Sequence, residues 1–113
     1  LIAAHIISVG KGGTDETING IVLCPNHHNA YDAGIIGVND EYEIVVNIDE
    51  ARRISEQGKL NSLNTFVSAL SNQISLPANR VDYPAQEYLT TGLEDREINH
   101  FYSLDEGELE DFL

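Results

Sequence analysis

The first 34 residues hold three of the four histidines, together with an asparagine and an aspartate. His5 lies fourteen residues before Asn19, and His28 follows Asn19 by nine residues. Asp32 follows His28 by four, so an imidazole and a carboxylate would share one helix face and could hold a divalent metal ion. An imidazole can also accept a proton near neutral pH. A histidine base beside a metal ion is the pairing that hydrolysis of a phosphodiester requires.

The same helix carries a second pair of residues at this spacing. His27 and Tyr31 are rotated by about 100° from the first pair, so they should face the core or a substrate. Taken alone, a pair such as His28 and Asp32 is more often a weak ion pair on a helix surface. The metal-site hypothesis therefore depends on His5.

A strand, a loop, a second strand and a helix must position these side chains. Residues 1–9 are rich in β-branched and apolar side chains and predict a strand. Residues 10–20 are dense in Gly, Thr, Asp and Asn and predict a loop. The apolar run 21–24 predicts a second strand, and Pro25 fits the first position of a helix that ends at Asp32.

The position of His5 in an otherwise apolar strand has two interpretations. A lone histidine there would usually be a core residue with its hydrogen bonds satisfied. The small residues Ala3 and Ala4 leave room beside it, however, and a glycine-rich loop follows. If the strand–loop–strand–helix unit folds back on itself, His5 comes close to His28.

The segment from Ala3 to Gly34 resembles the HNH endonucleases, which are members of the ββα-metal (His-Me finger) nucleases. The sequence AAHI is followed by GG and then by NGIVLCPNHHNAYDAG. This is similar to A-x-H-I followed by N-G-[LI]-x-L-C-x-x-H-H-x-x-[FY]-D-x-G. A weaker likeness continues in ISLP at 74–77 and PAQEYL at 84–89. The resemblance implies an α+β fold, in which a ββα-metal core is followed by a β-hairpin and C-terminal helices.

The resemblance also implies a role for each matched residue. His5 stands where the family has its general base, at the end of the first strand. Asn19 matches the residue that ties the loop in place and so orients the base, and in some members it touches the metal. His28 matches the final metal-binding histidine, and Asp32 lies where some relatives have another metal ligand. The implied catalytic residues are His5, Asn19 and His28.

One divalent metal ion is implied as cofactor, with Mg²⁺ expected first and Mn²⁺, Ni²⁺ or Zn²⁺ as alternatives that the ligand set does not separate. The candidate ligands are His28, Asp32, Asn19 and His27. His27 and Cys24 fall where zinc-knuckle members carry a Cys-x-x-Cys pair. The position before the base, an Asp or His in many members, is Ala4 here, which leaves few protein ligands for the metal.

The charge of the chain argues against binding nucleic acid through a broad basic surface. Lys and Arg number 6 against 19 Asp and Glu, which gives a net charge of −13. A bound divalent ion would supply positive charge locally, and the acidity is uneven, since residues 94–113 hold eight acidic residues and one arginine. The candidate substrate contacts are Lys11, beside the loop, and Tyr31.

These observations predict a metal-dependent endonuclease that hydrolyses DNA, with RNA as an alternative substrate. Such a protein would be bacterial or phage, with restriction or defence among its roles. The alternative is a non-catalytic module on the same ββα scaffold. That module would bind a protein partner through its acidic surface, or would be stabilised by zinc on Cys24 and His27.

The length of 113 residues predicts one domain. Residues 1–48 would form the nuclease core with its adjoining hairpin, and 49–102 a helical extension of the same domain. Residues 103–113 are expected to be an acidic tail, with disorder left open. The expected elements after the core motif are strands at 35–38 and 42–48, a helix capped by Asp49 and ended by Gly58, a helix over 60–70 and a short helix from Pro84.

The sequence also indicates a compartment. No apolar run is long enough to span a membrane, and no secretory signal opens the chain. A single cysteine cannot form an internal disulfide, which favours a reducing, cytoplasmic location. Because the chain begins at Leu1 and contains no methionine, we expect an upstream segment or a further domain.

Overall fold

The first unit of the fold is a hairpin followed by a helix. The structure is a computed structural model that describes residues 2–113, so Leu1 of the predicted first strand lies outside it. Strand β1 (Ile2–His5) pairs antiparallel with β2 (Gly20–Leu23), and His5 is opposite Gly20. Helix α1 (Pro25–Asp32) follows at once, with Pro25 in its first turn as expected. The predicted strand–strand–helix order is confirmed.

One face of the hairpin is apolar and packs against α1. Ala4 and Ile6 in the first strand segment are buried, and so are Ala30 and Tyr31 of the helix. Because side chains alternate along a strand, His5 lies on the opposite, exposed face. The packing of one face therefore leaves the imidazole accessible.

A second, three-stranded sheet follows the hairpin unit. Strands β3 (Ile36–Val38) and β4 (Ile44–Asn47) form the predicted hairpin, and β5 (Phe101–Ser103) pairs antiparallel with β4. The strand order is β3-β4-β5. The third strand was not predicted, because a three-residue segment beside an acidic region carries no clear alternation.

Helices α2 (Ile48–Glu56) and α3 (Leu60–Ser68) pack against each other, and α2 contacts strands β4 and β5 of the second sheet. The prediction that Asp49 caps α2 is wrong. The side chain of Asn47 accepts the hydrogen bond from the Glu50 N–H instead, at 3.5 Å. Strand β4 runs directly into the helix, which therefore begins one residue before Asp49.

Helix α4 (Gln86–Asp95) packs against β3 and also contacts Ile6, the residue that follows β1. It begins two residues after Pro84, where the sequence predicted a helix start. A Cβ built on Gly92 would lie 3.0 Å from Ile6 Cγ2 and 3.2 Å from the Ile6 carbonyl oxygen, so only glycine allows this approach without movement. Helix α4 thus contacts the residue that directly follows His5.

The acidic C-terminal segment is folded against the core. It contains a 3-10 helix, Leu109–Phe112, in which Leu109 is buried. The Phe112 ring stacks on the buried Tyr102 ring with centroids 4.1 Å apart. None of the helices within residues 2–113 has the length and apolar character that a membrane crossing requires.

Candidate active site

The imidazole of His5 lies at the end of β1 and is hydrogen-bonded to the following loop. Its Nε2 is 2.9 Å from Oδ1 of Asp15, and the His5 side chain is 45% exposed. A cavity of about 430 Å³ borders the pair, and its acidic lining residues are Asp15, Glu16 and Asp82. Residues 74–77 form an apolar part of its wall. His5 is therefore reachable from solvent, in negatively charged surroundings.

Asn19 is a buried polar residue that fixes the loop to the strand. Its side chain is 1% exposed. Its Oδ1 accepts a hydrogen bond from the Ile7 N–H at 2.9 Å, and its Nδ2 donates to the carbonyls of Ile7 at 3.0 Å and Thr14 at 2.8 Å. Because both amide protons are donated to backbone carbonyls, Asn19 contributes to the site by holding the loop at Thr14 against Ile7.

His28 and Asp32 face each other on one side of α1. Nδ1 of His28 is 3.3 Å from Oδ2 of Asp32, and the two side chains are 22% and 56% exposed. This is the i, i+4 pair that the spacing predicts. One imidazole and one carboxylate open to solvent fit a divalent ion that completes its shell with water or phosphate oxygens.

The other two predicted ligands are engaged elsewhere. The His27 ring meets the Phe66 ring edge-on, with centroids 5.5 Å apart, so His27 faces α3. The amide of Asn19 is committed to backbone atoms. Within residues 2–113, no group of three or more His, Cys, Asp or Glu side chains is placed to hold a metal ion. The described part of the chain thus offers a two-residue ligand set on α1.

The structure does not join the two histidine pairs directly. His5 is bonded to Asp15, and His28 is paired with Asp32. Both pairs are accessible, and both belong to the same hairpin–helix unit. A substrate would have to span the gap between the His5–Asp15 pair and the His28–Asp32 pair to contact both.

The two predicted substrate contacts differ in accessibility. Lys11 is exposed in the loop, and its Nζ donates to the Asp95 carbonyl at 3.2 Å. Tyr31 is only 3% exposed. Burial, reinforced by the nearby Asp32 carboxylate and opposed by Arg96, raises the pKa of Tyr31 to about 12. Contact of Tyr31 with a substrate would require movement of its neighbours.

Arg96 is a residue of this site that the sequence analysis did not identify. Its guanidinium donates to the carbonyl of His5 at 2.9 Å and to that of Ile6 at 2.5 Å. It also lies over the Tyr31 ring, 4.0 Å from the centroid. The only sequence signal was its isolation as the single cation among the acidic residues 94–113.

Asp15 is the second residue that the sequence analysis missed. It lies inside the predicted loop, where no spacing rule distinguishes it from its neighbours Thr14 and Glu16. Only the fold of the loop, which brings Asp15 back to the strand end, shows that it meets His5.

The comparison with protein families supports the motif. Residues 1–39 match the family model described as HNH endonuclease. The match spans the ββα unit and contains His5, Asn19, His28 and Asp32. It confirms the predicted resemblance, and it indicates a nuclease-type segment in about a third of the chain, 39 of 113 residues. No curated protein and no solved structure gives a significant match to the chain.

Proposed function

We propose that this chain is the nuclease module of a metal-dependent HNH endonuclease and hydrolyses phosphodiester bonds of DNA. One observation carries the proposal. Within the matched segment 1–39, the fold presents an accessible imidazole at a strand end and an imidazole–carboxylate pair on the next helix. Those are the two parts that a one-metal phosphodiesterase needs.

His5 is the general base in this proposal. Its ring is accessible to a water molecule in the adjoining cavity, and a neutral imidazole accepts the proton as the water attacks phosphorus. The Arg96 guanidinium donates to the backbone carbonyls of His5 and Ile6, which restricts movement of the strand end. The base is thereby positioned by bonds to its own main chain.

His28 and Asp32 are the proposed metal ligands. Their separation on one helix face and their partial exposure leave room for water and phosphate oxygens around an ion. When bound, a divalent ion supplies positive charge that stabilises the transition state as a Lewis acid. Asn19 acts indirectly, because its amide holds the loop on which Asp15 lies.

Lys11 is the proposed phosphate contact. It is exposed and lies in the loop that follows the base, and its bond to the Asp95 carbonyl would have to break before it could contact a phosphate. Because the chain has a net charge of −13, we expect its affinity for DNA to depend on the divalent ion and on a few such contacts.

A non-catalytic binding module is the alternative, and the distribution of charge favours it. Arg96 and Lys11 both donate to backbone carbonyls, while Asp15, Glu16 and Asp82 line the cavity beside His5. Such a surface suits a basic protein partner better than DNA. The version stabilised by zinc would use Cys24 and His27.

Cleavage of supercoiled plasmid separates the two functions. Wild type is incubated with Mg²⁺, Mn²⁺ or Ni²⁺, with and without chelator, beside His5→Ala and the control His100→Ala. His100 also bonds an aspartate, Asp49, at 2.9 Å, but this exposed pair lies outside the hairpin–helix unit, between the start of α2 and the residue before β5. We expect metal-dependent nicking by wild type and His100→Ala, and a loss of about a hundredfold or more in His5→Ala.

Two outcomes contradict the proposal. Activity of His5→Ala equal to that of wild type would exclude His5 as the base. Absence of cleavage with every metal, together with stoichiometric zinc in the purified protein, would favour the binding module.

A further inference from the structure

The contact between Asp15 and His5 is a hydrogen bond without an evident structural purpose. It joins Asp15 Oδ1 to His5 Nε2 at 2.9 Å, with the Asp15 side chain 90% exposed. Ion pairs this exposed contribute little to folding. The contact therefore needs another explanation than stability.

The buried amide of Asn19 sets both ends of this contact. Its Nδ2 bonds the carbonyl of Thr14, the residue before Asp15. The same amide bonds both backbone groups of Ile7, two residues beyond His5. A side chain that is 1% exposed thus fixes the distance between the loop and the strand end.

Glycine at position 13 allows the loop to approach so closely. A Cβ on Gly13 would overlap the carbonyl oxygen of Ile7, whereas one on Gly10 would meet no atom within 4 Å. Gly13 therefore lies directly against the backbone of Ile7, two residues before the loop reaches Asp15.

We propose that Asp15 is a positioning residue that acts through His5, an inference that rests on the proposed nuclease function. A carboxylate that accepts a hydrogen bond from the Nε2–H group holds the neutral ring in one tautomer, with the lone pair on Nδ1. The same carboxylate stabilises the imidazolium that forms when His5 accepts a proton.

In the proposed hydrolysis step, water, the phosphodiester, His5 and solvent account for every bond and proton that changes. The water oxygen forms a bond to phosphorus, and its proton goes to Nδ1 of His5. The bond from phosphorus to the leaving oxygen breaks, and the leaving oxygen takes a proton from solvent. The Nε2 proton stays in the hydrogen bond to Asp15 throughout.

The other acidic residues around the cavity do not share this role. Glu16 and Asp82 line the cavity, but among residues 2–113 the carboxylate that bonds the His5 ring is that of Asp15. The geometry therefore singles out one residue for the test.

The test uses the full chain, Mg²⁺ and a duplex substrate, with Asp15→Ala, Asp15→Glu and the control Asp49→Ala. Asp49 pairs with His100 at the same 2.9 Å, away from the site. We expect Asp15→Ala to lower kcat by about 10- to 100-fold with KM within about twofold, since acid–base chemistry and not binding is impaired. Asp15→Glu should restore part of kcat, and Asp49→Ala should match wild type.

Nitrogen NMR of the histidine rings gives a readout that a structural role would not move. We expect the ring of His5 to carry its proton on Nε2 in wild type, and to populate both tautomers in Asp15→Ala. Thermal unfolding of Asp15→Ala should match that of wild type.

The possible failures are distinct. If wild type cleaves and Asp15→Ala cleaves within twofold of it, the positioning role is overturned while the nuclease function stands. A proton on Nδ1 of His5 in wild type would overturn it as well. If wild type cleaves nothing, the nuclease function fails, and the role of Asp15 fails with it.

Discussion

At the scale of single residues, the ordered loop depends on one buried amide and one glycine. Asn19 bonds three backbone groups that no neighbouring strand reaches. Gly13 lets the chain pass the carbonyl of Ile7. A resemblance to HNH endonucleases predicts that Asn19 ties the loop, but its partner atoms follow only from the folded path of residues 10–20.

Gly13 and Gly10 offer a matched pair of substitutions in the same loop. We expect Gly13→Ala to lower the free energy of unfolding by about 1–3 kcal/mol, because the new methyl group forces the loop away from the Ile7 carbonyl. Cleavage should fall more than tenfold, since Asp15 moves with the loop. Gly10→Ala should leave both quantities unchanged. Denaturant unfolding and plasmid nicking measure them, and equal behaviour of the two variants would refute this account of the loop.

At the scale of elements, the parts that local sequence specifies were predictable. Apolar runs, a glycine-rich loop and Pro25 predict the hairpin–helix unit. The motif predicts which of its residues belong to the site. Features that depend on contacts between distant parts of the sequence were not predictable. Strand β5 is a strand only because β4 offers it an edge, and Arg96 meets Ile6 across 90 positions of sequence.

In the candidate site as well, contacts within one element were predictable and contacts between elements were not. The pair of His28 and Asp32 follows from helical spacing, which any amphipathic helix obeys. The direction of His27 depends on where α3 packs, since its partner is Phe66. That packing is a property of the whole fold and leaves no local signal.

Arg96 connects helix α4 to the strand that carries His5, and a conservative substitution should show it. We expect Arg96→Lys to lower the free energy of unfolding by about 1–3 kcal/mol, because lysine cannot bond two carbonyls and lie flat on Tyr31 together. Cleavage should also slow. Arg80→Lys is the control, since Arg80 is exposed. Chemical unfolding of both variants gives the comparison, and indistinguishable curves would mean that Arg96 does not hold the strand.

At the scale of the whole molecule, the core is closed by aromatic residues near the C-terminus. Tyr102 is fully buried against Phe112, and among residues 2–113 its hydroxyl has no hydrogen-bond partner. Burial, together with the Asp111 carboxylate, raises the pKa of Tyr102 to about 12. Tyr31 has a pKa raised to the same value.

These two tyrosines predict alkaline instability. Their folded pKa values near 12 lie above the ordinary value of 10.0, so the folded state holds their protons more tightly than the unfolded chain. The stability they contribute is present below pH 10 and should be lost as the pH rises towards 12. Tyr102→Phe should lose less stability over that window, and at neutral pH it should be at least as stable as wild type. Thermal unfolding across pH 8–12 measures both, and a flat profile in wild type would contradict the prediction.

His5 and the pair of His28 and Asp32 on α1 must serve one substrate site if this chain acts as a one-metal nuclease. Mn²⁺ tests this most directly, because a paramagnetic ion broadens the NMR signals of nearby protons. Titration of the full chain should broaden the ring signals of His28 and His5 together, while His100 stays sharp, and Asp32→Ala should abolish the effect on both. If His28 broadens and His5 stays as sharp as His100, the two pairs are separate and the one-site account is contradicted.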